Sequence, residues 1–298
     1  MPITHYDLLL FGGRRDPNIN CLQKTARDMG KQVLMVSHDE SSEPSIAWNF
    51  SQGQMIIDQQ AITAQSAFLR YDVFSSSNQS SEELDRAYAW FSVFTGACSA
   101  TQSMLVPNER MDSRASHKAF ILAYAASHGI PIPESLISND QLAIEAFCQK
   151  NDAIAKPAAG GAYCIKADKA CEETDWQEKL APMPAIIQET LTYPEYRIFR
   201  YGDNFMTFEI HSEHLDYRPH QTNSIRVVPN SVLGEGIVDR LKSMSDSLNI
   251  NFFACDFKTH EKTGVPLFLE LNSGPMFAAF SASSKGALAR EMINWLTS

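Results

Sequence analysis

The chain has 298 residues, of which 44% are hydrophobic and 20% charged, and its formal charge is −10. That apolar content can bury a core and excludes a mostly disordered chain, while the length accommodates one large or two to three ordinary domains. A surface of net negative sign gains little from phosphate backbones or anionic lipid, so neither nucleic acid nor a membrane is an expected partner.

The opening Met-Pro-Ile-Thr-His-Tyr-Asp lacks the basic end and apolar run of a signal peptide, and no stretch reaches the roughly 18 apolar residues of a membrane helix. Cys21, Cys98, Cys148, Cys164, Cys171 and Cys255 form no Cys-x-x-Cys pair. They read as reduced thiols of a cytoplasmic protein.

Residues 7–11 form a short apolar run closed by Gly12-Gly13. A helical face of Leu22, Ala26 and Met29 follows, with Gly30 as its stop. Apolar strands are predicted over 32–37, 55–58 and 67–73, then a helix over 82–95 with Leu84, Tyr88, Phe91 and Phe94 on one stripe. This alternation predicts a small, mainly parallel α/β domain over 1–105. After Val106-Pro107-Asn108 comes a helix over 113–128, with Phe120, Ile121, Tyr124 and Ala125 inward and Gly129 at its end. Ile130-Pro131-Ile132-Pro133 is extended, because residues before proline avoid the helical region. Asn139 is placed as the N-cap of a helix through Lys150. Strands then dominate at 153–157, 163–167, 185–190, 195–201 and 205–210. A helix over 235–249 carries Ile237, Leu241, Met244 and Leu248. A hairpin of 252–258 and 265–272 and a helix over 285–297 close the chain.

Three segments could carry chemistry. On the last hairpin, strand alternation puts Phe268, Glu270 and Asn272 on one face, with Ala254 and Asp256 across from them. Two carboxylates and an amide oxygen suit Mg²⁺, which keeps water and phosphate oxygens in its other positions. The same spacing equally describes a hairpin with a wet polar face. In Ala153-Ile154-Ala155-Lys156-Pro157, a lysine inside an apolar strand is costly to bury unless an anion meets it. Gly160 and Gly161 behind it let backbone N–H groups approach a phosphate. A strand lysine at a sheet edge explains the pattern as well, and Lys118 is by itself an ordinary helix lysine. The third segment runs from Gln188-Glu189 to Glu195-Tyr196-Arg197, where an apolar strand ends in polar groups able to face a purine and a ribose. Arg197 and Arg218 carry planar donor forks suited to phosphate. Gly12-Gly13-Arg14-Arg15-Asp16 is either a contact for an acidic substrate or a surface turn. His211, His214 and His220 match no familiar zinc spacing.

The order of Lys118, Lys156, Gly160-Gly161, Gln188-Glu189, Glu195-x-Arg197, Arg218, Asp256 and Glu270-x-Asn272 resembles that of ATP-grasp enzymes over residues 105–298. The likeness is greatest to RimK-like carboxylate–amine ligases, and among them to ATP-grasp maturases of ribosomally made peptides. It is carried by His117-Lys118, the run from Gly129 to Asp140, Glu195-Tyr196-Arg197, Asp216-Tyr217-Arg218 and Phe268-Leu269-Glu270-Leu271-Asn272-Ser273. The short glycine loop and the lack of Arg-x-Asn spacing after Arg218 depart from the pattern.

The resemblance implies an α/β (α+β) ATP-grasp fold, with a pre-ATP-grasp domain at 1–105, a lid or central subdomain at 106–187 and a C-terminal subdomain at 188–298. It implies ATP held by Lys118, Lys156, Gly160, Gly161, Gln188, Glu189, Leu191 and Glu195. It further implies Mg²⁺, as two ions replaceable by Mn²⁺, on Asp256, Glu270 and Asn272, with Arg197 and Arg218 as catalytic groups. The implied activity is an ADP-forming ligase that passes a carboxylate through an acylphosphate to an amine or hydroxyl, modifying or cyclising a peptide precursor, with a homodimer as a possible assembly. A ligase of free amino acids with small acids and a non-catalytic ATP-binding protein are the other readings.

Overall fold

Glycine and proline punctuate the first sheet. The computed structural model describes residues 2–39, 44–51, 53–71, 73–74, 80–101, 103–159, 163–212 and 224–298. β1 (Ile3–Gly12) ends where a Cβ on Gly12 would meet Ile19 Cγ1 at 2.9 Å, so only glycine permits this approach. Asp16 then caps α1 (Pro17–Asp28), accepting from the Asn18 N–H, and Pro17 supplies the fixed φ of a first helical turn. Gly30, at φ +75°, ends that helix before β2 (Val33–Ser37). β3 (Ile46–Asn49), β4 (Gln54–Ile57), β5 (Gln60–Leu69) and α2 (Ser81–Ser99) complete this run.

The sheet order is β2-β1-β5-β4-β3. It is parallel where β1 meets β2 and β5, and antiparallel through β4 and β3. The predicted parallel sheet is thus only its central part. β3 is four residues long among polar and proline neighbours and offers no periodic signal. The expected α2 stripe is corrected. Phe94, Ala87, Ala97 and Cys98 are buried, whereas Leu84 is 45% and Tyr88 65% exposed. Phe94 stacks on Phe11 at 4.5 Å and small Ala87 lets the helix approach the sheet. Tyr88, one residue and about 100° further round the helix, then faces solvent.

The chain divides into two units, Met1–Glu109 with Met276–Ser298, and Arg110–Pro275. In the second unit, α3 (Lys118–Ser127) and β6 (Ser135–Asp140) lead into α4 (Gln141–Cys148). Asp140, rather than Asn139, caps α4 through its side chain. β7 (Ala153–Pro157), β8 (Ile165–Lys166), α5 (Ala167–Glu173) and β9 (Leu180–Glu189) complete a four-stranded antiparallel sheet of order β6-β9-β7-β8. Ile144, Ala153, Ala155, Ala167 and Ile187 form the small core beneath α4 and α5. β10 (Thr192–Tyr201), β11 (Asn204–His211), β12 (Ser224–Val228), α6 (Ile237–Ser247), β13 (Phe252–Thr259) and β14 (Pro266–Asn272) build a second antiparallel sheet, ordered β12-β11-β10-β13-β14. One face of it packs on α3 and α6 through Ile198, Phe253, Cys255, Phe257, Ile121, Leu241 and Met244.

α7 (Ala278–Ser283) and α8 (Ala287–Leu296) belong to the first unit rather than to 188–298. Asn18 Oδ1 accepts from the Phe277 and Ala278 N–H groups, and Leu288, Met292 and Leu296 give α8 a buried stripe. No described helix is long and apolar enough to cross a membrane, and all six cysteines are free thiols.

Asp16 is fully buried and meets the Arg70 Nε at 2.8 Å, where β1 and β5 end side by side. Removing one member of a buried pair strands the other's charge. Asp16→Ala is expected to destabilise the first unit by about 3–5 kcal/mol, read as a lowered urea midpoint. A loss below about 1 kcal/mol would show that the pair is not holding the loop.

Candidate active site

One face of the second sheet carries a largely buried row of charge. Cross-strand register sets Arg197 of β10 opposite Asp256 of β13, and Asp256 opposite Glu270 of β14. Directly opposed residues share a face, so three charged side chains project together. Arg197 donates from Nε and Nη2 to the two Asp256 oxygens, both at 2.6 Å. Asn272 Nδ2 lies 3.3 Å from Glu270 Oε1 and 3.5 Å from Asp256 Oδ2.

A bulge decides which residues join this row. Asp256 pairs with Glu270, but Phe257 pairs with Phe268, leaving Leu269 as an extra residue. Phe268 is therefore carried to the core face beside Phe257, its ring 5.6 Å away. The expectation that Phe268 shares a face with Glu270 and Asn272 is corrected: alternation holds only from Glu270 onward. Phe268 N–H also donates to Pro131 O at 2.8 Å, tying the extended 130–133 segment to β14.

Two lysines gather on the same carboxylate. Lys118, the first residue of α3, places Nζ 3.4 Å from Glu270 Oε2. Lys156 faces away from the small core because Ala153 and Ala155 occupy the other side of β7. Burial pushes the Lys156 ammonium below the ordinary lysine range; the negative charge of Glu270 pulls it up and Lys118 pushes it down. Burial raises the Glu270 carboxyl, but the charges of Lys118 and Lys156 and hydrogen bonds from Asn272 and Lys118 outweigh it and hold the group below the usual carboxylate range.

Gln188, on the face of β9 that Lys156 shares across β7, is fully buried. Its Nε2 donates to Ser135 Oγ at 2.9 Å, while Oε1 has no partner among the described residues. A buried acceptor left without a donor costs about 1–3 kcal/mol. Glu189 Oε1 accepts from the Glu134 N–H at 3.0 Å, with His260 Nε2 3.4 Å from its other oxygen. Leu191 is buried at the following turn. Glu195 sits one step along the face from Arg197, buried, with Lys258 Nζ at 3.8 Å.

Lys258 and His260 are absent from the expected set. Both fall on the strand bearing Asp256 or just past it, and Lys258 is a buried lysine lying 4.2 Å over the Tyr193 ring. The even spacing Asp256, Lys258, His260 was the signal that could have found them. Gly160, Gly161 and Arg218 lie outside the described residues.

The chemistry of these donors suits magnesium. Asp256 and Glu270 supply hard carboxylate oxygens side by side; Asn272 turns Nδ2 toward both, and a half-turn of its amide presents Oδ1 to the same point. The Arg197 fork takes one direction on each Asp256 oxygen, and a carboxylate has about four acceptor directions. The donor set therefore fits a small hard cation.

No protein-family model matches the chain, and no curated protein matches its sequence. Solved structures do. The ATP-grasp ligase PsnB complexed with minimal precursor is 21% identical, with TM-score 0.79 and 98% of each chain covered. The fold is that of the ATP-grasp ligases. The macrocyclase MdnC of Microcystis aeruginosa, bound with precursor peptide MdnA, is 18% identical at TM-score 0.72, with 97% of this chain and 99% of that one covered. The VanG D-Ala:D-Ser ligase of Enterococcus faecalis is 14% identical at TM-score 0.59, with 98% of each chain covered.

The lysine pair and Glu270 form one electrostatic unit, with two consequences. The stability that Glu270 contributes is present above the ordinary carboxylate range and lost as pH falls through its depressed value. Glu270→Gln removes the charge that pulls Lys156 up, so Lys156 is expected to react faster with an amine-acylating reagent at pH 8–9, followed by peptide mass spectrometry. Unchanged Lys156 labelling in the folded variant would refute the coupling.

Proposed function

We propose that the chain is an ADP-forming ligase that activates a peptide carboxylate with ATP and passes it to an amine or hydroxyl. The observation that carries this is the Lys118–Glu270–Asp256–Arg197 array on an ATP-grasp fold. PsnB and MdnC, both complexed with peptide precursors, support the peptide over a small acceptor, since the D-Ala:D-Ser ligase is the poorer structural match. PsnB complexed with Mg and ADP supports the nucleotide and cation.

In this reading residues 106–187 act as lid and central subdomain over 188–275. Gln188 Oε1, buried without a partner, takes a hydrogen bond from the amino group of adenine, and the Glu189–Leu191 backbone frames the rest of the base. Glu195 accepts from the ribose hydroxyls, held in place by Lys258. Lys118 and Lys156 meet the α- and β-phosphates, with Gly160 and Gly161 covering them. Asp256, Glu270 and Asn272 hold magnesium, as two ions or their Mn²⁺ substitutes; bound there, the cation neutralises charge on the transferring phosphoryl group. The substrate carboxylate oxygen bonds to the γ-phosphorus as the bond to ADP breaks. The acceptor then adds to the acyl carbon, loses its proton, and phosphate leaves. Arg197 orients Asp256 through its fork, and Arg218 steadies the oxyanion. Exclusion of water preserves the acylphosphate. ATP use and six free thiols fit the cytoplasm.

Asp256→Asn and Glu270→Gln are each expected to lower magnesium-dependent ADP release by about 100-fold or more while the melting transition stays cooperative. ADP release at the wild-type rate in either folded variant would overturn the assignment.

A further inference from the structure

Met276 opens the segment Met276–Ser298 that belongs to the first unit. The backbone just after it is anchored. Phe277 is fully buried, its ring 6.0 Å from that of Phe68, and the Phe277 and Ala278 N–H groups donate to Asn18 Oδ1 at 2.7 and 2.9 Å. The Met276 side chain itself is 43% exposed, so reagents in water reach it.

Two buried polar groups are turned on its sulfur. Asn18 Nδ2 donates to Met276 Sδ at 3.3 Å, and Arg70 Nη2 donates to the same atom at 3.5 Å. Asp16 fixes both donors: its Oδ1 accepts from Asn18 Nδ2 at 2.8 Å and its Oδ2 from Arg70 Nε at 2.8 Å. A thioether is a weak acceptor, whereas a guanidinium is a charged and strong donor. The pocket thus sets strong donors against the poorest acceptor a side chain offers.

Oxidation would remove that mismatch. Methionine sulfoxide is polar, and its oxygen is a far better acceptor than the sulfur it replaces. In an apolar core the added oxygen disrupts packing, because it enters without a partner. Around Met276 it meets water on one side and two fixed donors on the other.

We propose that Met276 is a modification site at which hydrogen peroxide converts the thioether to a sulfoxide, with Arg70 and Asn18 receiving the new oxygen. A sulfur lone pair attacks one peroxide oxygen and the O–O bond breaks. The proton on the transferred oxygen passes to the departing hydroxide, which leaves as water. Sulfur gives up two electrons and the peroxide is reduced by two. Negative charge develops on oxygen during the transfer, and preorganised donors beside it lower the barrier. The proposal stands apart from the ligase reading, since no group assigned to nucleotide or magnesium takes part.

Met183 supplies the internal control. It is 70% exposed, and among the described residues no donor meets its sulfur, so exposure alone ranks it ahead of Met276. The full chain is treated with hydrogen peroxide, and sulfoxide at each methionine is followed in time by peptide mass spectrometry. Met276 is expected to oxidise at least about fivefold faster than Met183 in the folded chain, and at an equal rate in concentrated urea, where the donors are lost. Arg70→Lys keeps a cation for Asp16 but removes the second arm of the fork, and should lower the Met276 rate while that of Met183 stays constant. Faster oxidation of Met183 in the folded wild type would overturn the proposal. So would a Met276 preference that survives urea, which would make it a property of the local sequence, or one undiminished in folded Arg70→Lys.

Discussion

Opposite charge sharing one strand face is the constraint on which the second unit depends. Asp256 and Glu270 are set side by side by β-sheet register, not by choice of rotamer. Two carboxylates forced together repel each other unless cations intervene. Arg197 meets Asp256 from the neighbouring strand, and Lys118 and Lys156 meet Glu270 from a helix start and from the other sheet. Sheet, helix and small sheet are thus tied to one point by electrostatics, and apolar packing behind the row keeps the strands in register. Cys255, Phe257 and Phe268 lie on that reverse face, so a slip of one residue would exchange phenyl rings for carboxylates.

Much of this was readable from sequence because the strands are long and alternate. Asp256, Glu270 and Asn272 fall together as the spacing requires, as does Lys156 within its apolar strand. Phe268 departs from simple alternation because one extra residue, Leu269, reverses the face of everything before it. Nothing in Leu-Phe-Leu-Glu-Leu marks such a bulge. Lys258 is hidden in the sequence for a related reason: a lone buried lysine reads as a surface residue until its partners, Glu195 and Tyr193, arrive from a strand sixty-odd positions earlier. Pairing across that separation is a tertiary fact. The division of the chain was equally hidden, since α7 and α8 rejoin the first unit through Asn18, far back in sequence.

The array as it stands also shows what a ligand must bring. Gln188 Oε1 is a buried acceptor without a donor, and Lys156 is an ammonium pushed down by burial and by Lys118. Both are costs within the protein alone. An anion beside the two lysines relieves their mutual repulsion, and a donor at Gln188 ends its isolation, so one molecule carrying both groups stabilises two strained points of the same sheet pair.

Arg197 shows why a single residue type can hold two places in such an argument. As a free fork it would grip a phosphate; with Nε and Nη2 on Asp256 it instead fixes the direction of a carboxylate. A lysine at 197 could neutralise Asp256 but not hold both oxygens in one plane. The geometry of the carboxylate, and with it the placement of any cation it ligates, therefore depends on the planar guanidinium rather than on its charge alone. That is the sense in which the site is a property of sheet register: the strand order brings the fork and the carboxylate opposite, and the chemistry follows from their orientation.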